Sequence, residues 1–143
     1  MNVSNLLQSK KSEILSVSPT ESVYAALQLM ADKNIGAVLV TSNKKLVGIL
    51  SERDYARKII LKGKTSKDTK VEEIMTAQVL FVSPEQSVED CMAIMSEKHI
   101  RHLPVIEKGE LLGIISIGDV VKGIISDKEF AIQQLENYIS GTG

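Results

Sequence analysis

Two pairs of residues carry the sharpest chemistry in this chain. Ser51 and Asp54 stand three apart directly after the apolar run Leu46-Val47-Gly48-Ile49-Leu50, and Ser116 and Asp119 repeat the arrangement after Leu111-Leu112-Gly113-Ile114-Ile115. An ionised carboxylate offers two acceptor oxygens, so one Asp can take hydrogen bonds from both hydroxyls of a ribose. A serine hydroxyl beside it can reach ribose or phosphate. The same spacing has a structural use. Ser-x-x-Asp where a strand turns into a helix is close to a capping box, and the Asp sits where the helix dipole favours negative charge. On spacing alone, capping is the stronger reading.

Basic residues lie near the second pair along the chain. Arg101 and His102 precede the apolar Leu103-Pro104-Val105. The rigid guanidinium fork suits phosphate oxygens; the alternative is a strand-end Arg and an ordinary surface His. Arg53 stands next to Asp54, whereas Gly118 stands next to Asp119. No metal site is expected, because His99 and His102 with Cys91 lack the spacing of two ligands on one helix face. Cys91 falls on an apolar helical stripe and reads as a buried, inert thiol. There is no P-loop, dinucleotide fingerprint or nucleophile elbow. No catalytic residues are assigned, and the chain is read as a non-enzyme.

The elements that must position these residues come in two copies. An offset of 65 residues carries Asp54 onto Asp119, Val17-Ser18-Pro19 onto Val82-Ser83-Pro84, Met30 onto Met95, and Ile59-Ile60 onto Ile124-Ile125. Such a repeat governs the fold. Each copy predicts a short extended piece (Ile14 to Val17, Val79 to Val82), closed by Pro19 or Pro84. A helix follows, N-capped by Ser22 or Ser87 and ending near Asn34 or His99; Ser87 with Asp90 resembles a capping box. The stripes Val23, Ala26, Leu27, Met30 and Val88, Cys91, Met92, Met95 share one phase. Two strands come next, Gly36 to Val40 with Leu46 to Leu50, and His102 to Ile106 with Leu111 to Ile115. Asn43-Lys44-Lys45 and Lys108-Gly109-Glu110 supply the turns. A second helix runs from Asp54 toward Leu61, or from Asp119 toward Ile125.

Short helical lead-ins precede each copy, Val3 to Leu7 and Val71 to Met75. The first carries three extra residues within Gln8 to Ser12. Residues 62–70 read as a polar surface linker. The tail from Glu129 to Ile139 either extends the last helix or forms a separate one that packs on a partner. The expected layout is one module over 1–143, with repeats at 8–62 and 71–128 and a helical tail at 129–143. Residues 1–13 should pack onto the other half.

Composition agrees with a globular protein. Hydrophobic residues are 43% and charged residues 24% of 143, a normal soluble balance. A net charge of −1 supplies no field that would draw the chain to nucleic acid or to an anionic membrane. No apolar run is long enough to span a bilayer, and the first residues do not read as a secretory signal. One cysteine excludes an internal disulfide. The default location is cytoplasmic.

The doubled Val-Ser-Pro, the segment Ile100-Arg101-His102-Leu103-Pro104-Val105, the two Gly-x-x-Ser-x-x-Asp phrases and the lead-in Val71-Glu72-Glu73-Ile74-Met75-Thr76 resemble the CBS domain pair, or Bateman module. The resemblance covers nearly the whole chain, and it is closest to stand-alone CBS-pair proteins of small bacterial and plant organellar type. It implies an α+β fold of two tandem β-α-β-β-α repeats packed with pseudo-twofold symmetry. It also implies clefts that take adenosine nucleotides, AMP first and ATP or ADP next, with no covalent cofactor.

By the same resemblance, one cleft combines Ile14, Leu15, Gly36 and Ala37 with Ser116 and Asp119, and takes phosphate charge from Arg101 and His102. The small Gly36 and Ala37 leave room for a base. The other combines Val79, Leu80, Ile100 and Arg101 with Ser51, Arg53 and Asp54. With the family in view and the motif doubled, ribose binding outweighs capping for at least one Asp. The expected function is a non-catalytic nucleotide sensor that signals to a protein partner. The alternatives are a structural or partner-binding module with empty clefts, or a sensor of NAD or S-adenosylmethionine. A homodimer is expected, with the Val23–Met30 and Val88–Met95 stripes left partly uncovered on an outer face.

Overall fold

The computed structural model describes residues 1–10 and 13–140. Of the three extra residues expected within Gln8 to Ser12, any at Lys11 and Ser12 lie outside the described residues, as do positions 141–143 of the tail. The elements are α1 (Val3–Lys10), β1 (Ser16–Val17), α2 (Val23–Lys33), β2 (Ala37–Ser42), β3 (Lys45–Ser51), α3 (Glu52–Tyr55), α4 (Val71–Ile74), α5 (Val88–Lys98), β4 (His102–Glu107), β5 (Glu110–Ser116) and α6 (Ile117–Ser140). A π-helical turn, Ala56–Ile60, continues α3. The chain forms two compact units. One holds α1, α5, β4, most of β5 and α6, and the other holds β1 through α4.

In the unit built from the first repeat, β1, β2 and β3 form a sheet in that order. β1 runs parallel to β2, with Ser16 opposite Leu39 and Val17 opposite Val40. β2 and β3 are antiparallel, and Ala37 lies opposite Ser51. Asn43 and Lys44 both take positive φ, of 51° and 65°, as a two-residue hairpin turn requires. Ser22 caps α2 by accepting from Ala25 N at 3.1 Å. Asn34 ends the helix in the left-handed region. Val23, Ala26 and Met30 of α2 bury against Val38, Val40, Leu50, Ile59, Val71 and Ile74.

The other unit repeats the plan. β4 and β5 form a two-stranded sheet. Lys108 and Gly109 carry the positive φ of its turn. α5 is capped by Ser87, which accepts from Asp90 N at 3.0 Å. The core gathers Val88, Cys91 and Met95 with Val82, Leu103, Val105, Ile115 and Val120. Val3 and Leu6 of α1 enter this core. Val3 N donates to Gln86 O and Ser4 N to Pro84 O, both at 2.9 Å, so the N-terminal helix docks on the second repeat. The lead-in α4 does the converse. Val71 N donates to Glu21 O at 2.8 Å and Glu72 N to Pro19 O at 3.0 Å.

The structure refines four expectations. The extended pieces shrink to Ser16–Val17 and to a single bridge between Val82 and Val105, so Ile14, Leu15, Val79 and Leu80 lie in irregular backbone. These pieces are short edge segments beside a proline, which cannot donate to a ladder. The stripes of α2 and α5 are largely buried within the chain, with Val23, Ala26, Val88 and Cys91 all at 0% exposure, and only Leu27 and Met92 stay half-buried. The polar segment after Leu61 is docked as well: Thr69 O and Ser66 O accept from Val23 N and Tyr24 N, which satisfies first-turn donors of α2. Finally, α6 is one continuous helix of 24 residues, so the tail extends it. Among the described residues no helix is long and apolar enough to cross a membrane.

Close packing gives a direct prediction. A Cβ at Gly48 would stand 2.5 Å from Met75 Sδ and 3.1 Å from the backbone carbonyl of Thr76. That carbonyl is fixed by its bond from Ile49 N. At Gly113 the nearest atom is a Leu7 methyl at 3.0 Å, the free end of a side chain. Gly48→Ala should cost about 1–3 kcal/mol in denaturant unfolding, and Gly113→Ala clearly less.

Candidate functional site

Both Ser-x-x-Asp motifs sit where a sheet strand passes directly into a helix. Ser51 ends β3 in an extended conformation, φ −116° and ψ 163°, and α3 begins at the next residue. Its Oγ accepts from Asp54 N at 3.2 Å, and Asp54 Oδ2 accepts from Ser51 N at 3.0 Å. Ser116 and Asp119 match this, at 3.2 Å for Asp119 N to Ser116 Oγ and 2.8 Å for Ser116 N to Asp119 Oδ2. Both motifs therefore form complete reciprocal capping boxes. The entry to the preceding strand is held to each junction in the same way. Glu52 N donates to Gly36 O at 3.0 Å, and Ile117 N donates to Arg101 O at 2.8 Å. This places Gly36 and Ala37 beside Ser51, and Arg101 and His102 beside Ser116, each within one unit.

The two carboxylates differ in their cations. Asp54 Oδ1 faces Lys58 Nζ at 3.1 Å, one helical turn on, and accepts from Thr76 Oγ1 at 3.4 Å. The 65-residue offset puts Gly123 where Lys58 stands, so that cation is missing in the second repeat. Lys10 of α1 replaces it. Its Nζ lies 2.8 Å from Asp119 Oδ2 and donates to Ile114 O at 2.9 Å. Lys58 likewise donates to a backbone carbonyl, Ile74 O, at 2.9 Å. Asp119 Oδ2 thus carries both the cap and the lysine, and Oδ1 accepts from no donor among the described residues. Asp119 also lines a groove of about 410 Å³, whose walls include Lys10, Ser9, Lys122 and Ser126.

Burial raises the Asp119 carboxyl, but the hydrogen bond from Lys10, the bonds from Ser116 and the lysine charge outweigh it and hold the group below its ordinary value. His102 shifts down as well. Burial is the main cause, Lys10 adds to it, Asp119 opposes it, and Arg101 adds again. Burial, with the Asp90 charge, pushes the Cys91 thiol up to about 11, which agrees with an inert core cysteine.

A lowered His102 pKa means that the unfolded chain takes up the proton first. Stability is complete above the ordinary value of 6.5 and is lost as pH falls from there toward the folded value. Denaturant midpoints should therefore decline on acidification below about pH 6.5. His102→Gln should flatten that decline. An unchanged slope would assign it to other groups.

The remaining site candidates fall as follows. Ile14 and Leu80 are exposed, and Leu15 and Val79 are half-buried; all four share the unit of Gly36, Ala37, Ser51, Arg53 and Asp54. Ile100 and His102 are half-buried and Arg101 is exposed, in the unit of Ser116 and Asp119. Sequence reasoning missed Lys10 and Lys58. Lys58 was accessible as an i,i+4 partner of Asp54, whereas nothing local marks Lys10.

Comparison with known proteins gives consistent results. The CBS domain profile matches residues 4–61 and 71–129. The CBS domain-containing protein CBSX3, mitochondrial, of Arabidopsis thaliana is 41% identical over 126 residues; the match covers 85% of this chain and spans 61% of the plant protein's length. A protein with CBS domains from Burkholderia ambifaria MC40-6 superposes with a TM-score of 0.85 at 48% identity, over 89% of this chain and 96% of that one. The CBS domain protein PAE2072 from Pyrobaculum aerophilum, complexed with AMP, gives 0.74 at 26% identity, over 83% and 89%. With both repeats matched and their α+β elements in place, the chain belongs to the CBS domain family.

Proposed function

We propose that the chain is a non-catalytic regulatory module that binds adenosine nucleotides, AMP first and ATP or ADP next, and passes the binding event to a protein partner. The observation that carries this reading is the state of Asp119. It is ionised and pinned through Oδ2, and among the described residues Oδ1 accepts from no donor. A preorganised carboxylate of this kind suits ribose hydroxyls. The AMP complex of the Pyrobaculum relative supports the ligand class. In this proposal Asp54 and Asp119 hold ribose, helped by Ser51 and Ser116. Arg53, Arg101 and His102 meet phosphate. Ile14, Leu15, Gly36 and Ala37, with Val79, Leu80 and Ile100, receive the base. A homodimer and a cytoplasmic setting belong to the same proposal.

A second reading is favoured by one observation: both carboxylates already serve complete capping boxes with a lysine beside each. On that reading the chain is a partner-binding scaffold without a nucleotide.

Thermal unfolding with AMP, ADP, ATP, NAD and S-adenosylmethionine separates the two. A ligand bound only by the native state raises the midpoint by mass action, and more so the further its concentration exceeds Kd. The proposal expects a rise with AMP, and Arg101→Ala should reduce it for AMP more than for adenosine. No rise with any of the five would support the scaffold.

A further inference from the structure

The outer face of α6 is exposed among the described residues. Its first turns point inward through the buried Val120 and Gly123. From residue 128 onward nearly every side chain is exposed. Yet Val121, Ile125, Lys128, Ile132, Leu135 and Ile139 follow one another at alternating steps of four and three. That is the seam of a coiled coil, with one polar position. Ile125, Ile132, Leu135 and Ile139 are 50%, 56%, 59% and 77% exposed. A projecting helix with so apolar a stripe is marginal in water unless the stripe is covered.

We propose that α6 pairs antiparallel with α6 of a second copy of this chain. The proposal rests on the homodimer suggested above and does not depend on the nucleotide. The charges select the occupant and its direction. Lys122, Glu129 and Glu136 flank the seam at seven-residue intervals, and none of them forms an ion pair within the chain among the described residues.

In an antiparallel pair Val121 packs opposite Ile139, Ile125 opposite Leu135, and Lys128 opposite Ile132. Lys122 then meets Glu136 of the second copy, twice by symmetry. The single like-charge contact, Glu129 with its own copy, lies beside the two Lys128 side chains, whose ammonium groups reach out of the seam. A parallel pair would stack Lys128 on Lys128 within the seam and set the charged flank against Ile124, Ala131 and Tyr138, with no opposite charge. One buried lysine weakens the seam and sets its register. Phe130 lies off the seam and takes no part.

Sedimentation equilibrium of the full chain across the micromolar range tests this. The parent should show a monomer–dimer equilibrium. Leu135→Glu should weaken dimerisation by about thirtyfold or more, while the exposed position leaves the core of the unit untouched. Lys128→Leu completes the seam and should tighten it by about tenfold. Ile125→Cys and Leu135→Cys should form a mixed disulfide when combined and little disulfide when each is alone. A monomer at every concentration would overturn both the dimer and this interface. A dimer indifferent to Leu135→Glu would leave the dimer standing and reject α6 as its surface. Ready self-crosslinking of each single variant would reject the antiparallel arrangement.

Discussion

Leu103→Ala is expected to lower the free energy of unfolding by about 2–5 kcal/mol. The side chain is at 0% exposure near the start of β4. It belongs to the cluster that joins Val3 and Leu6 of α1 to Val88, Cys91 and Met95 of α5. Truncation removes the transfer energy of the lost carbons and leaves a cavity that strands and helices close only in part. Whole domains are stable by about 5–15 kcal/mol, so this one change takes a large share. Phe130→Ala is the control. Phe130 is 67% exposed, and its loss should stay within about 0.5 kcal/mol. Denaturant midpoints that moved equally for the two variants would contradict the packing described.

Asp119→Ala should act on stability and on affinity together. Loss of the capping box should cost about 0.5–2 kcal/mol of unfolding free energy. Lys10 loses its carboxylate as well, at a site where both side chains are about a quarter exposed, 27% and 22%. Within the nucleotide proposal, hydrogen bonds to a charged acceptor are worth about 1.5–3 kcal/mol, so affinity should fall by about one to two decades. Asp54→Ala should produce the same cap loss. Its affinity effect should be smaller, because Asp54 Oδ1 is already engaged by Lys58 and Thr76. A stability loss with unchanged nucleotide affinity would leave capping as the whole role of these residues.

Much of this was legible in the sequence because it depends on local rules. The 65-residue offset, the caps Ser22 and Ser87, the hairpin turns at Asn43 and Lys108, and the helix ends at Asn34 and His99 are each decided by a few neighbouring residues. The reciprocal Ser51–Asp54 bonds followed from spacing alone. Tertiary decisions were not legible. The Lys10–Asp119 pair spans 109 residues, and no pattern near Lys10 announces it. The π-helical turn at Ala56–Ile60 has no strong local signature. The stripes of α2 and α5 looked available for a partner because periodicity marks an apolar face without saying what covers it. The chain's own strands and lead-in helices cover most of them, leaving Leu27 and Met92 half-buried. The reverse holds for α6, where a tail of mixed Gln, Glu and apolar residues left its course open until the continuous helix revealed a seam.

Titration calorimetry of AMP into the parent chain and its Asp54→Asn and Asp119→Asn variants tests the central claim most directly. Asparagine still caps a helix, yet it loses the charge and one acceptor. The account predicts saturable binding to the parent and a loss of about tenfold or more in at least one variant, Asp119→Asn first. Saturable binding that both variants match would remove the carboxylates from the site, and no binding of AMP to the parent would contradict the account itself.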